Sequence, residues 1–259
     1  MQSFNLQAGD TALITGATSG IGLEFSRQLG ERGLNLILVA RNADRLENVA
    51  TVIKRQFDAS VEVIVADLSV NTDCDLVARR ASQPDVDLVI NNAGFGLNQS
   101  FFEDSVGSEQ ALLDVLVNSV MRISHDALAG MTQRNRGGVI NVSSVAGWMT
   151  SGTYSAAKSW VTTFSESLAM QLKQSHVHVM ALCPGFTRTE FQDRAGMRTD
   201  TIPKWMWLDS AFVVTKALQD FEAGKPVSVP GLQYKLLSFV AKYFPRAFVR
   251  SLSVRSRRK

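Results

Sequence analysis

The sequence predicts an α/β domain built on a doubly wound parallel sheet. Short runs rich in branched apolar residues alternate with longer stretches of helical period along most of the chain. Those runs are apolar throughout, as strands covered on both faces must be. A glycine-rich turn separates the first run from the first helical stretch.

The elements follow in order. TALITG (11–16) reads as the first strand and IGLEFSRQLGERG (21–33) as its helix. LNLILVA (34–40) is the second strand, followed by the amphipathic ADRLENVATVIKRQF (43–57). VEVIVADL (61–68) leads into a polar helical stretch, and VDLVINNAG (86–94) into a long one ending near Arg136. GGVINVSS (137–144) is a strand, Thr150 to Thr153 a small polar loop, and the stretch from Tyr154 to Gln174 a helix. VHVMALCPG (177–185), a loop-rich segment, a helix at SAFVVTKALQDF (210–221) and an edge strand in KPVSVPG (225–231) complete the pattern. No linker shows a shift in composition, so residues 1–259 read as one domain.

Composition narrows the function. Apolar residues make up 45% and charged residues 20% of 259, ordinary for a globular chain. Cys74 and Cys183 lie far apart and outside any CxxC or CxxH spacing, which argues against a zinc site or a disulfide framework and fits a reducing compartment. The first residues lack a basic segment followed by an apolar one, so no signal peptide is expected. No apolar run approaches the roughly 18 residues that span a bilayer. The expected setting is the cytoplasm. The net charge of +3 is a property of the tail: residues 231–259 hold eight of the 27 Lys and Arg and no acid, leaving 19 against all 24 Asp and Glu. The chain is therefore not read as a nucleic-acid binder.

Gly16, Gly20 and Gly22, with Ser19 and Ile21 among them, stand between the first strand and helix in a GxxxGxG spacing. Glycines there let the backbone turn tightly and approach a pyrophosphate at a helix N-terminus. At the end of the second strand, Ala40 and Arg41 stand where an acid would grip a ribose 2′-hydroxyl. An arginine suits a 2′-phosphate, so NADP(H) is expected over NAD(H). The alternative for Arg41 is a surface ion pair or a cap.

Tyr154 and Lys158, four apart, share one helix face. Together with TGATSGIG (15–22), NNAG (91–94), Asn118, NVSS (141–144) and CPG (183–185), this ordered set resembles the short-chain dehydrogenase/reductase family from about Thr11 to Thr189. The resemblance implies a Rossmann-type, seven-stranded parallel sheet and a nicotinamide cofactor at the strands' carboxyl ends. It implies that Asp67, beside Leu68, contacts the adenine, Asn91 its ribose region, and Asn92, Ala93 and Gly94 the cofactor groove. Ser144 would hold the substrate carbonyl, Tyr154 exchange the proton, and Lys158 hold the nicotinamide ribose. Asn118 would support a water leading to Lys158. Pro184, Gly185, Thr187 and Thr189 would cover the nicotinamide, one threonine near its carboxamide. Ser143 is assigned to support.

The chemistry stands by itself. Hydride addition to a carbonyl leaves charge on oxygen that must be stabilised and protonated. A free tyrosine, with a pKa of about 10, is a poor base near neutrality. A nearby ammonium or oxidised nicotinamide favours its phenolate. His125, His176 and His178 have no partner motif and receive no role.

Residues 186–208 read as a substrate lid carrying Phe186, Phe191, Met197, Trp205, Met206, Trp207 and Leu208. These either line an apolar substrate site or pack the lid onto the body. Residues 232–259 mix Leu236, Leu237, Phe239 and other apolar residues with spaced Lys and Arg. They read as an interfacial helix in peripheral contact with anionic lipid, or as a packing or oligomer-forming helix with a basic end. Lid and tail loosely resemble those of bacterial reductases of acyl or lipid-like ketones.

The expected function is an NADPH-dependent carbonyl reductase, reversibly an alcohol dehydrogenase, of a hydrophobic ketone. The family resemblance implies a homodimer or homotetramer. Two rivals stand beside this reading: an NAD-linked hydroxysteroid or secondary-alcohol dehydrogenase, and a catalytically silent nucleotide-bound regulatory or membrane-scaffolding protein. The connection from Ser144 to Tyr154 is short for the family, so it is expected to close tightly and reshape the site's entrance.

Overall fold

A computed structural model of the chain describes residues 5–97, 101–197, 199–200 and 202–243. The strands are β1 (Thr11–Thr15), β2 (Asn35–Ala40), β3 (Val61–Val65), β4 (Val86–Asn91), β5 (Gly137–Val142), β6 (Val177–Leu182) and β7 (Val227–Ser228). The first helices are α1 (Gly20–Glu31), α2 (Ala43–Phe57), α3 (Asn71–Ala81), α4 (Val106–Leu113) and α5 (Ser119–Gln133). They are followed by α6 (Gly152–Gln171), α7 (Phe191–Arg194), α8 (Ser210–Glu222) and α9 (Leu232–Tyr243). The sheet runs β3-β2-β1-β4-β5-β6-β7 with every neighbouring pair parallel, one seven-stranded, doubly wound Rossmann-type domain. The edge strand expected in KPVSVPG is β7, only two residues long.

Burial explains the unbroken apolar strands. Ala12 and Ile14 of β1 join one core with Phe25, Leu29 and Phe221, while Leu13 faces the other with Val77, Ile123 and Met131. Both faces are covered, so both sets of alternating residues must be apolar. Helix starts follow local chemistry: Asn42 accepts from the Arg45 N–H at 2.8 Å to open α2, and Asp209 from that of Ala211 at 2.8 Å to open α8.

The strand order reverses between β1 and β4, which opens a crevice beyond their carboxyl ends. Helix α6 begins at Gly152, φ +71°, so Gly152 and Thr153 belong to the helix and not to the expected loop. The short connection closes as a 3₁₀ turn at Val145–Trp148. A Cβ on Gly147 would lie 2.9 Å from the backbone of Lys158 and Ser159, so only glycine lets this turn lie on α6. Among the described residues no helix is long and apolar enough to cross a membrane, and no His, Cys, Asp or Glu cluster is arranged to hold a metal. Both cysteines are buried and unpaired.

Candidate active site

The glycine loop is built against the end of β4. Gly16 and Gly20 have φ of +66° and +54°, which L side chains rarely adopt. A Cβ on Gly22 would lie 2.3 Å from the Gly16 carbonyl oxygen and 2.4 Å from Asn92 Nδ2. Asn92 fastens the loop: Nδ2 donates to the Thr15 and Gly16 carbonyls at 2.9 and 3.2 Å, and the Asn92 and Ala93 N–H groups donate to Thr15 Oγ1 at 3.0 Å. Ser19 is the N-cap of α1, makes no side-chain cap, and leaves the first turn without an acid. Ile21 leans on the core beneath.

The Asn91 side chain is buried, donating to Ser124 Oγ and Asn141 Oδ1 at 3.1 and 2.8 Å, and its Oδ1 has no partner. It ties β4 to β5 and α5, so only its backbone is left to border the groove. Leu68 likewise sends its side chain into the core, so only its backbone borders the groove. Asp67 stays at the rim, where Oδ1 accepts from the Ser69 N–H and Oγ at 3.0 and 2.7 Å. Burial works to raise the Asp67 pKa, but the Ser69 hydrogen bonds and Arg41 outweigh it and hold it below the usual value. Arg41 is 70% exposed at the end of β2, where it forms a loose surface ion pair with Asp67 Oδ2 at 3.7 Å, the alternative expected for it.

Ser144, Tyr154 and Lys158 converge at the ends of β5 and α6. Ser144 caps the 3₁₀ turn by accepting from the Ala146 N–H at 3.1 Å, its hydroxyl reaches the Pro184 carbonyl at 3.5 Å, and it stands beside the Tyr154 hydroxyl. Lys158 Nζ donates to the Val142 carbonyl at 2.6 Å and lies 5.8 Å from the Tyr154 ring centre. Gly94 keeps this corner open, since its Cβ would meet Leu116 at 2.8 Å and Lys158 Nζ at 3.9 Å. Ser143 is the support expected of it, donating to the Lys158 carbonyl at 2.6 Å and sharing a 2.7 Å bond with Thr162. Asn118 ends a π-helical turn, Asp114–Asn118, of the kind frequent at functional sites. Its side-chain Nδ2 donates to Asp114 Oδ1 at 2.6 Å.

Burial dominates the electrostatics. It pushes the Tyr154 phenol up to about 12, the neighbouring Ser144 recovering only part. It brings the Lys158 ammonium down to about 8, against an upward pull from the Cys183 thiol. The expected lowering of the tyrosine by the lysine is therefore absent from the protein alone. The phenol is held as a proton donor.

The lid is a closed loop whose ends are zipped together. Leu208 N–H donates to the Phe186 carbonyl at 2.8 Å and Arg188 N–H to the Leu208 carbonyl at 2.9 Å. Its apolar residues divide between the two expected uses. Phe186 and Met206 pack on the core and Leu208 is buried in it, Phe191 lies 5.8 Å from the Tyr154 ring, and Met197 and Trp205 face outward. Pro184 is buried, its carbonyl accepting from Val145 N–H at 3.0 Å. Thr187 is also buried, its hydroxyl donating to the Gly185 carbonyl at 3.0 Å. Thr189 reaches the glycine loop, its methyl 2.9 Å from where a Gly20 Cβ would stand.

Two features went unread in the sequence. Tyr234 of α9, 1% exposed, accepts from the Phe186 N–H at 3.0 Å and donates to the Met206 carbonyl at 2.6 Å. Its ring fills the space of a Gly185 Cβ, at 2.0 Å, and so pins the proline-glycine turn and both ends of the lid. Glu190 accepts a bidentate pair from Arg45 at 2.8 and 3.0 Å and another bond from Arg194, which also donates to Ser19 Oγ at 3.2 Å. Glu190 and Arg194 stand four apart, a pairing visible in the sequence, but only the fold brings Arg45, Ser19 and Tyr234 to their partners.

The sequence model of the short chain dehydrogenase family matches residues 10–199. The chain belongs to the short-chain dehydrogenase family. It is 29% identical to the very-long-chain 3-oxoacyl-CoA reductase of Rattus norvegicus over 203 residues, 76% of this chain and 64% of that one. It is 32% identical to the 17-beta-hydroxysteroid dehydrogenase type 3 of Homo sapiens over 188 residues, 71% of this chain and 61% of that one. The chain thus spans less than two thirds of the length of these curated relatives. Among solved structures, a short-chain dehydrogenase from Sphingobium yanoikuyae in complex with NADPH matches with a TM-score of 0.83 at 29% identity, covering 90% of this chain and 93% of that one. The bulky-bulky ketone specific alcohol dehydrogenase from Comamonas testosteroni matches with a TM-score of 0.79 at 29% identity, covering 90% and 92%.

The residues of this short-chain dehydrogenase fit a nicotinamide cofactor. The cradle of Gly16, Gly20 and Gly22 admits no Cβ, the Ser19 hydroxyl is left uncommitted to its own helix, and the Arg41 guanidinium is 70% exposed and only loosely paired with Asp67.

Proposed function

We propose that this enzyme is an NADPH-dependent carbonyl reductase, reversibly an alcohol dehydrogenase, of a hydrophobic acyl- or lipid-like ketone. The observation that carries the reading is the convergence of the half-buried Tyr154 with Ser144 at the end of β5 and with Lys158, whose Nζ lies 5.8 Å from the Tyr154 ring centre. When bound, the nicotinamide supplies or accepts the hydride. Ser144 donates to the carbonyl oxygen and orients it, and Tyr154 delivers the proton as charge develops there. Lys158 holds the nicotinamide ribose, and as a cation favours the phenolate that remains. Asn118 supports a water through which Lys158 is recharged.

Arg41, with no acid at residue 40, supports the choice of NADP(H). Asp67 and the backbone at Leu68 border the adenine, Ala93 and Gly94 the groove, and Pro184, Gly185 and Thr189 the nicotinamide. The likeness to a very-long-chain 3-oxoacyl-CoA reductase and to a bulky-bulky ketone specific alcohol dehydrogenase supports a bulky or long-chain ketone. The same reading takes the enzyme as a cytoplasmic homodimer or homotetramer that touches a membrane surface through residues 232–259.

NADPH oxidation over ketones of graded chain length tests the substrate class. Tyr154→Phe should abolish turnover of any responsive ketone, and undiminished reduction would overturn the assignment. The likeness to a 17-beta-hydroxysteroid dehydrogenase supports an NAD-linked alcohol dehydrogenase as the second reading. Titrating NADPH against NADH separates the two: Arg41→Ala should weaken NADPH alone, and tighter NADH in the wild type would favour the second. Cofactor binding without turnover on any ketone would point to the silent regulatory protein, against which the intact Ser144, Tyr154 and Lys158 stand.

A further inference from the structure

Helix α9 meets the body through one fully buried side chain and turns a row of apolar ones away from it. Tyr234 is its only buried residue. Leu232, Leu236, Phe239 and Tyr243 are 81, 66, 57 and 67% exposed and follow at steps of four, three and four residues, with Leu237 beside them. That spacing lays them along a single stripe. Trp205, also mostly exposed, borders the helix start, its carbonyl accepting from Gln233 Nε2 at 3.3 Å. A contiguous apolar face of this kind marks an interaction surface.

Charge indicates the occupant. Lys235 and Lys242 are exposed on α9, and residues 231–259 carry eight cations and no acid. A second copy docking there would bring two such clusters together, whereas an anionic lipid surface would neutralise them. We propose that the outward face of α9, with Trp205, seats on an anionic bilayer, the helix lying in the headgroup boundary. This deepens the reading of the substrate as a lipid-like ketone and rests on it. The inner side of α9 holds Tyr234 against both ends of the lid and packs on the turn after Ser144. A docked α9 therefore sets lid and turn about one helix diameter, ~10 Å, from the bilayer surface. An apolar ketone would then enter from lipid rather than from water.

The test is sedimentation of the full chain with vesicles of phosphatidylglycerol and phosphatidylcholine in equal parts, and with phosphatidylcholine alone. Wild type should pellet with the anionic vesicles. Leu236→Asp with Phe239→Asp should remain in the supernatant, and Lys235→Gln with Lys242→Gln should lose about 25-fold in partition, about fivefold per cation. All four positions are exposed or on the outer face, so folding is unaffected, which NADPH-dependent reduction of a water-soluble ketone verifies. No pelleting, or pelleting indifferent to both variants, overturns the proposal. A drop in mass by light scattering in the aspartate variant also overturns it, because the occupant would then be a second copy. A drop in its melting temperature does so too, because the chain's own residues 244–259 would cover the face. Turnover of the soluble ketone without vesicle binding overturns the docking alone; vesicle binding without turnover of any ketone overturns the catalytic reading instead.

Discussion

Replacing Tyr234 with phenylalanine removes a single oxygen and tests whether α9 positions the active site. The ring that backs Gly185 stays, while the bonds to the Phe186 N–H and the Met206 carbonyl are lost. Leaving a buried polar group unpaired costs about 1–3 kcal/mol. Phe186 and Met206 are only half-buried, so the lower end applies to each, about 2 kcal/mol for the pair. If the whole fold felt this, the melting temperature would fall by about 4–8 °C. If only the lid felt it, the KM for the ketone would rise about 30-fold at nearly unchanged NADPH affinity. Thermal melting, steady-state kinetics and exchange of the Phe186 amide read these outcomes together. A Tyr234→Phe enzyme with wild-type melting, KM and amide protection would refute the positioning role. Gly185→Ala provides the counterpart: its new methyl must displace the Tyr234 ring, and it should impair kcat and KM together.

Other expectations are narrower. Reduction should decline above about pH 8, because Lys158 loses its charge there while Tyr154 keeps its proton to about 12; a kcat/KM profile flat to pH 10 would contradict this. The same depressed lysine means that the unfolded chain binds more protons above about pH 8, so stability should rise with pH from about 8 to 9. Beyond that, the buried Cys74 and Cys183 thiols, raised to about 11, reverse the trend. Lys158→Met should flatten that rise in denaturant titrations. Gly22→Ala, normally stabilising in a helix by about 0.5–1 kcal/mol, should here destabilise by about 1–3 kcal/mol and weaken the cofactor, because the methyl meets the Gly16 carbonyl. Glu190→Gln should leave melting within about 2 °C, since its ion pairs are half exposed, and should tighten NADPH by freeing Arg45 and Arg194. Weaker NADPH binding in that variant would show that the pairs hold the site rather than compete with it.

Local pattern made much of the site legible. The glycine loop, Ser144, Tyr154 and Lys158 stand at spacings that their chemistry requires, and the unbroken apolar strands required a sheet covered on both sides. The direction of the Asn91 side chain was not legible, because in a strand buried on both faces no alternation tells which way a polar side chain turns. Thr187 and Thr189 look alike in the chain, and only the zipped base of the lid sends one inward and the other to Gly20. The tyrosine's expected activation by the lysine failed for a similar reason. Spacing gives the distance between two groups, but desolvation depends on everything packed around them.

The sequence by itself determined the layered fold and the family and nominated the residues proposed to exchange the proton, because each depends on periodicity or on neighbours within a few positions. Tertiary structure alone decided which groups are held still and at what charge. Tyr234 lies 48 residues from Phe186 and Arg45 145 from Glu190, and no local rule connects positions so distant. Their contacts exist because α9 and the lid are folded back over the ends of the strands, where packing brings remote backbone within hydrogen-bond reach and excludes the water that would otherwise satisfy it.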